Sequence, residues 1–263
     1  MKIALLYICT GKYTVFWDEF FTSSEQYFIP GAEKEYFVFT DATDLPYNDH
    51  PRVHVIEQEW LAWPYATLMR FHIFSRVEAQ LRGFDYIFFF NANAQFLRTV
   101  SAEEFLPGPE HEGLTVVASP GFHGQPVKNF PYEKKDKRSK AYMPRELRKI
   151  YVQGGVNGGT AAAFLALIRE LKENVQHDLD RGIIAEWHDE SHLNRYIAER
   201  HPRVLSPGYI FPEERKDLPF EPVILIRDKN RLGGNSTLRQ HTDLHPRPGI
   251  AMRILRRVRN WFS

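Results

Sequence analysis

Apolar residues fall along this chain in two rhythms. Five short runs, "KIALLYIC", "EYFVFTD", "RVHVIEQ", "DYIFFF" and "LTVVASP", are rich in β-branched and aromatic residues and end in turn formers. That is the pattern of buried strands. Between them the apolar positions recur at helical spacing. "TVFWDEFFTSSEQYFIPG" carries Phe16, Phe20 and Phe21 together. "YATLMRFHIFSRVEAQLRG" places Leu68, Phe71, Phe74, Val77 and Leu81 on one face of a predicted helix that Gly83 stops. Two further helices are predicted in "TAAAFLALIRELKENVQHDLDRG" and "DESHLNRYIAER". The alternation predicts an α/β domain with a largely parallel sheet and right-handed crossovers.

Ligands of open α/β sheets bind beyond the carboxyl ends of the strands. Chemistry is therefore expected in residues 9–13, at Thr40 and Asp41, in residues 91–93 and in residues 119–121. The first of these turns, "CTGKY", has one glycine and lacks the G-x-G-x-x-G of dinucleotide binders, and no phosphate-binding G-x-x-x-x-G-K-[ST] occurs anywhere.

Composition narrows the class. The chain has 263 residues, 43% of them hydrophobic, enough for one substantial core. A formal net charge of +1 gives no general case for nucleic acid, although basic residues cluster in "EKKDKRSKAYMPRELRK" and "RILRRVRNWF". The single cysteine, Cys9, excludes an internal disulfide framework. The apolar N-terminal run is too short to span a bilayer and reads as a first strand, so a cytoplasmic location is expected.

Three stretches carry candidate chemistry. In "FFFNANAQF" a strand ends on Asn91-Ala92-Asn93, where Asn residues readily make a turn. Many enzymes that bind nucleotide-sugars carry two carboxylates at this spacing to hold a divalent metal, and here both charges are missing. "YVQGGVNGGT" holds two Gly-Gly pairs, read either as a plain loop with a helix starting at Thr160 or as a close approach to ligand. "EWHDESHLNRY" sets His188, Asp189, Glu190 and His192 at a helix start, where a carboxylate also serves as an N-terminal cap. His188 and His192 are four apart, but there is no H-E-x-x-H and no evident third ligand.

In order and spacing, the blocks "YICTGKY", "EYFVFTD", "WPYATLMRFHIF", "DYIFFFNAN", "SPGFHG", "YVQGGVNGG", "WHDESHLNRY", "LSPGYIFPEE" and "EPVILIRDKN" resemble glycosyltransferase family 6. This family includes the α-1,3-galactosyl and α-1,3-N-acetylgalactosaminyl transferases. The resemblance implies a GT-A type catalytic domain over residues 1–240, a Rossmann-like mixed sheet flanked by helices, and a separate basic tail over residues 241–263. Asn-x-Asn in place of Asp-x-Asp resembles the bacterial, metal-independent branch, so no metal cofactor is expected. The implied substrates are UDP-GalNAc or UDP-Gal and a galactose-terminated, fucosylated glycan, with retention of anomeric configuration.

By the same resemblance, Glu190 is the key catalytic carboxylate and Asp189 grips the hydroxyls of the donor sugar, with His188 beside it. Ile8, Thr10 and Tyr13 hold the uridine, and Arg70 bridges sugar and diphosphate. Asn91, Ala92 and Asn93 meet the donor through amides. Gln153, Gly154 and Gly155 set donor choice, glycine at 155 leaving room for an acetamido group. Lys229 and Arg239 supply positive charge in place of a metal. The acceptor contacts are Trp187, Glu213 and Ser119, the last standing where relatives have His. The segment containing residues 134–149 is expected to be loosely held without ligand. Beyond the resemblance, "GIAMRILRRVRNWFS" has the pattern of an amphipathic helix on an anionic membrane or against a partner. Two other readings remain open: a non-catalytic sugar-binding relative, and a metal-dependent transferase using His188 as a ligand.

Overall fold

The computed structural model describes residues 1–234 and Leu238, so Arg239 and the 241–263 tail lie outside the described residues. The first half contains β1 (Lys2–Ile8), α1 (Trp17–Tyr27), β2 (Glu33–Thr40), β3 (Val53–Glu57), α2 (Tyr65–Leu68), α3 (Arg70–Ser75), α4 (Glu78–Leu81), β4 (Tyr86–Phe90), β5 (Ala94–Phe96) and α5 (Ala102–Phe105). It continues with β6 (Leu114–Ala118), β7 (Val152–Thr160), α6 (Ala161–Asp180), α7 (His188–Ile197), β8 (Arg203–Leu205), β9 (Phe211–Pro212) and β10 (Ile224–Ile226).

Seven strands form one sheet in the order β3-β2-β1-β4-β7-β6-β8, and β5-β10-β9 form a small second sheet. The five apolar runs are β1, β2, β3, β4 and β6, as their residue types predict. β1 is central, and each residue from Ile3 to Tyr7 is buried, which is why its run is continuous rather than alternating. β3 lies at the edge and alternates.

The sheet is mixed, as the resemblance implies, because β7 runs antiparallel to both β4 and β6 while its other pairings are parallel. Two other expectations change. β7 is the stretch read as a glycine loop. It carries almost no side-chain pattern to announce a strand, since four of its nine residues are glycine. The second glycine pair is structural. A Cβ on Gly158 would strike the Ile87 carbonyl and Phe88 of β4, and one on Gly159 the Gly113 carbonyl. The predicted helix over 68–81 is likewise divided into α2, α3 and α4, with Met69 (φ −84°, ψ 5°) and Val77 (φ −110°, ψ 14°) leaving helical angles. Every residue from Met69 to Phe74 is buried, so contacts on all sides, not one apolar stripe, set the path of this segment.

Successive residues of β4 feed two cores. Phe88 and Phe90 pack with Trp17, Phe20, Phe28 and Phe105 on one face, while Ile87 and Phe89 pack with Phe74, Phe164 and Ile168 on the other. Each fully buried ring stabilises the fold by roughly 1.5–3 kcal/mol.

The basic segment is tied down at several points. Ser139 Oγ donates to Asp178 Oδ2 (2.5 Å) at the end of α6, and the Lys140 N–H donates to Asp178 Oδ1 (2.9 Å). Glu133 accepts the N–H groups of Lys135 (2.7 Å) and Glu186 (3.0 Å). Two buried acidic side chains, Glu133 and Asp178, thus hold the first part of this charge run.

Candidate functional site

Because β7 is antiparallel to β4, its first residues lie beside the carboxyl end of β4. The Asn91 N–H donates to the Gly155 carbonyl at 2.7 Å and closes this junction. The start of α7 and the buried face of α3 meet at the same place. Together they enclose a cleft of about 390 Å³.

Glu190 is fixed at both oxygens. The Tyr151 phenol donates to Oε1 (2.6 Å) and the Gly154 N–H to Oε2 (2.7 Å). Burial pushes this carboxyl up to about 7, against the two hydrogen bonds and the more distant Arg70, while Asp189 pushes it further up. A group poised at neutrality in a cleft is a functional candidate on physical grounds.

Behind it lies a buried ion pair. Arg70 Nη1 stands 2.7 Å from Asp189 Oδ2 and donates to the Gly154 carbonyl at 2.6 Å, with the guanidinium 4.1 Å from the centroid of the Phe89 ring. Burial raises the Asp189 carboxyl and lowers the Arg70 guanidinium, and each partner's charge opposes that shift in the other. Buried pairs add little net stability over an apolar alternative, but breaking one side is costly. The pair therefore reads as a device that holds α3, β7 and α7 in one register.

Asn91 and Gly155 interlock. A Cβ on Gly155 would lie 2.5 Å from Asn91 Nδ2 and 2.7 Å from Gln153 Oε1, so the glycine makes room for the Asn91 amide. Asn93 is engaged elsewhere: its Nδ2 donates to the Arg227 carbonyl (2.8 Å), joining the end of β4 to the segment after β10. The Ala92 carbonyl accepts the Tyr7 hydroxyl at 2.6 Å.

His188 takes a left-handed conformation (φ 49°), which is strained for a non-glycine residue, and its ring stands edge-on to Trp63 with centroids 4.9 Å apart. His192 points elsewhere, its Nε2 buried 3.6 Å from Asp178 Oδ2. The two histidines do not converge. Lys229 Nζ lies 5.2 Å from the centroid of the Tyr13 ring at the uridine end expected from the sequence.

The cleft is lined by Ile8, Thr10, Tyr13, Arg70, Asn91, Ala92 and Asn93, and by Gln153, Gly154, Gly155, Trp187, His188, Asp189, Glu190 and Lys229. Trp187 stands at its edge, 49% exposed. Ser119 and Glu213 are not among the lining residues. Ser119 is buried at the end of β6, and Glu213 accepts from Arg227 (3.2 Å), Arg231 (2.7 Å) and the Asp228 N–H (2.7 Å). The sequence reading did not single out Tyr151, Trp60, Trp63 or Asn194. Tyr151 and Trp63 lie inside or beside blocks already quoted, but nothing in their spacing marks them.

A mixed sheet flanked by helices, with a polar cleft at the ends of its central strands, is the GT-A class of glycosyltransferase architecture. Residues 1–226 match glycosyltransferase family 6, and the chain belongs to that family. It is 38% identical over 234 residues to the O-antigen biosynthesis glycosyltransferase WbnI of Escherichia coli, covering 88% of this chain and 96% of that protein. It is also 30% identical to the histo-blood group ABO system transferase 1 of Rattus norvegicus, over 81% of this chain and 61% of that protein. For the human globoside α-1,3-N-acetylgalactosaminyltransferase 1, identity is 30% over 85% of this chain and 65% of that protein. Membership implies a nucleotide-sugar donor and a glycan acceptor.

Proposed function

We propose that the protein is a retaining α-1,3-glycosyltransferase that moves GalNAc or Gal from a UDP-sugar to a galactose-terminated, fucosylated glycan without a divalent metal. The observation that carries this reading is Glu190: a carboxylate at the cleft, held at both oxygens and flanked by the Arg70–Asp189 pair.

In this reading the uridine lies toward Ile8, Thr10 and Tyr13, and the sugar toward Asp189 and Glu190. As the glycosidic bond breaks, negative charge grows on the diphosphate and positive charge on the sugar ring. Glu190, on the far face of the sugar, offsets the latter, either by bonding to the anomeric carbon or by stabilising an oxocarbenium ion. Lys229, joined in this role by Arg239, offsets the former. Trp187 offers an apolar face to the acceptor sugar.

The residues at the end of β4 support independence from metal. They are neutral carboxamides, and the Asn93 amide already donates to a carbonyl. A hard divalent cation draws on one or two carboxylates besides the phosphates, and Asn91 and Asn93 supply none. The name of the Escherichia coli relative supports a bacterial surface saccharide as acceptor. Contact of the tail with an anionic membrane surface belongs to the same proposal, and sedimentation with liposomes before and after deletion of residues 249–263 tests it.

The deciding assay incubates the protein with UDP-GalNAc or UDP-Gal and a panel of fucosylated acceptors, with and without EDTA. Transfer that chelation leaves unchanged is expected. Loss of transfer on chelation overturns the metal-free reading, and binding without turnover overturns the catalytic one.

A further inference from the structure

Tyr151 contributes a hydroxyl to the one carboxylate that the reaction is proposed to need. We propose that Tyr151 is a positioning residue: its phenol clamps Oε1 of Glu190 while the Gly154 N–H clamps Oε2, fixing the carboxylate in one orientation. This inference rests on the assignment of Glu190 made above and deepens it.

Three observations carry it. The phenol sits 2.6 Å from Oε1, the length of a strong hydrogen bond to an ionised acceptor. The ring cannot easily swing away, because it is 4% exposed and packed against Phe122 (centroids 5.2 Å) and Tyr132 (5.4 Å). Its backbone is fixed as well, its carbonyl accepting the Ser119 N–H at 3.0 Å. Phenylalanine would fill the same volume, so packing alone does not call for a hydroxyl here. Among the described residues, the hydroxyl's hydrogen-bond partner is Glu190.

The charged groups around Glu190 come from several elements. Asp189 on α7 opposes its ionisation, while Arg70 on α3, the Gly154 N–H on β7 and Tyr151 favour it. Tyr13, Glu59, His188 and Lys229 complete the titratable lining of the cleft. The Tyr151 hydrogen bond holds the carboxyl down more than the Gly154 N–H or Arg70 does, so removing its hydroxyl raises a group already near 7. Glu190 must be ionised to offset charge on the sugar. Its activity is therefore present above that value and lost as pH falls through it.

The test compares Tyr151→Phe with the parent protein across pH 5–10. The acid limb of kcat/KM should move upward by about one pH unit, with kcat/KM on the order of tenfold lower at pH 6 and nearly restored above pH 9. The donor KM should stay within about twofold, because the phenol touches the carboxylate and not the nucleotide. Thermal melting confirms that the variant folds. A purely structural tyrosine would lower kcat/KM by the same factor at every pH, and an acid limb that does not move overturns the proposal.

A readout independent of turnover separates this idea from the one beneath it. The Glu190 carboxyl carbon can be followed by NMR in protein labelled at glutamate and assigned by its loss in Glu190→Gln. A midpoint that rises in Tyr151→Phe supports the clamp whether or not transfer is seen, and an unchanged midpoint rejects it. Transfer that survives in Glu190→Gln rejects the underlying assignment instead.

Discussion

Glu190 illustrates how a single residue's chemistry depends on what surrounds it. In water its carboxyl would be ionised well below neutrality, whereas in the cleft desolvation lifts it to about 7 and two hydrogen bonds limit the rise. The acid limb of kcat/KM is therefore expected near pH 7, with activity lost as pH falls through it. Glu190→Gln keeps the shape of the side chain and removes its charge. Transfer should fall by on the order of a thousandfold while UDP binding, followed by calorimetry, survives. Gly155 gives a second test at this scale. A methyl there would need the space of the Asn91 amide, 2.5 Å away, so Gly155→Ala acts on the donor through Asn91 as well as by direct bulk. The ratio of UDP-GalNAc to UDP-Gal turnover should shift toward Gal. The effects of Gly155→Ala and Asn91→Ala should also fail to add, and strict additivity in that double-mutant cycle would reject the interlock. Asn91, Gly155 and Glu190 were legible as residues of interest. Their contacts were not: Asn91 reaches Gly155 only when β7 pairs with β4, and Glu190 reaches Gly154 only when α7 packs against β7.

At the scale of elements, the site is a joint between β7, α7 and α3. Asn194 on α7 makes that joint explicit: its Oδ1 accepts the Val152 N–H (3.0 Å), and its Nδ2 donates to the Val152 carbonyl (2.9 Å) and the Glu190 carbonyl (2.9 Å). Asn194→Ala leaves buried strand groups without partners. It should cost about 2–3 kcal/mol by urea denaturation, and kcat should fall although no ligand contact is lost. A loss below about 0.5 kcal/mol would show that the strand and helix are held by packing alone. α6 was legible from periodicity because it buries one apolar face, whereas α7 is buried nearly all round, with His188, Asp189, His192 and Asn194 turned inward beside Leu193 and Ile197. β7 was hidden because glycine carries no pattern, and its need for glycine arises from the close approach of β4 and Gly113.

At the scale of the whole molecule, the segment after β10 folds back over the first turn of the chain. Arg227 pairs with Glu19 on α1 and with Glu213, while Lys229 stands over Tyr13. Lys229→Ala should lower transfer at least tenfold at saturating acceptor. Rescue of that loss by added manganese would show that a cation can take the place of the lysine. Among the described residues, no helix is long and apolar enough to cross a membrane.

The sequence by itself determined the five apolar strands, the one-sided helices and the family, since these are written in local pattern and in blocks of neighbouring residues. Only the tertiary structure decided that β7 is a strand running against its neighbours, that the helix over 68–81 divides, and that Tyr151 grips Glu190. The physical reason is the same in each case. Strand pairing, burial on all sides and desolvation of a carboxyl are properties of distant residues brought together, and no window of sequence contains them.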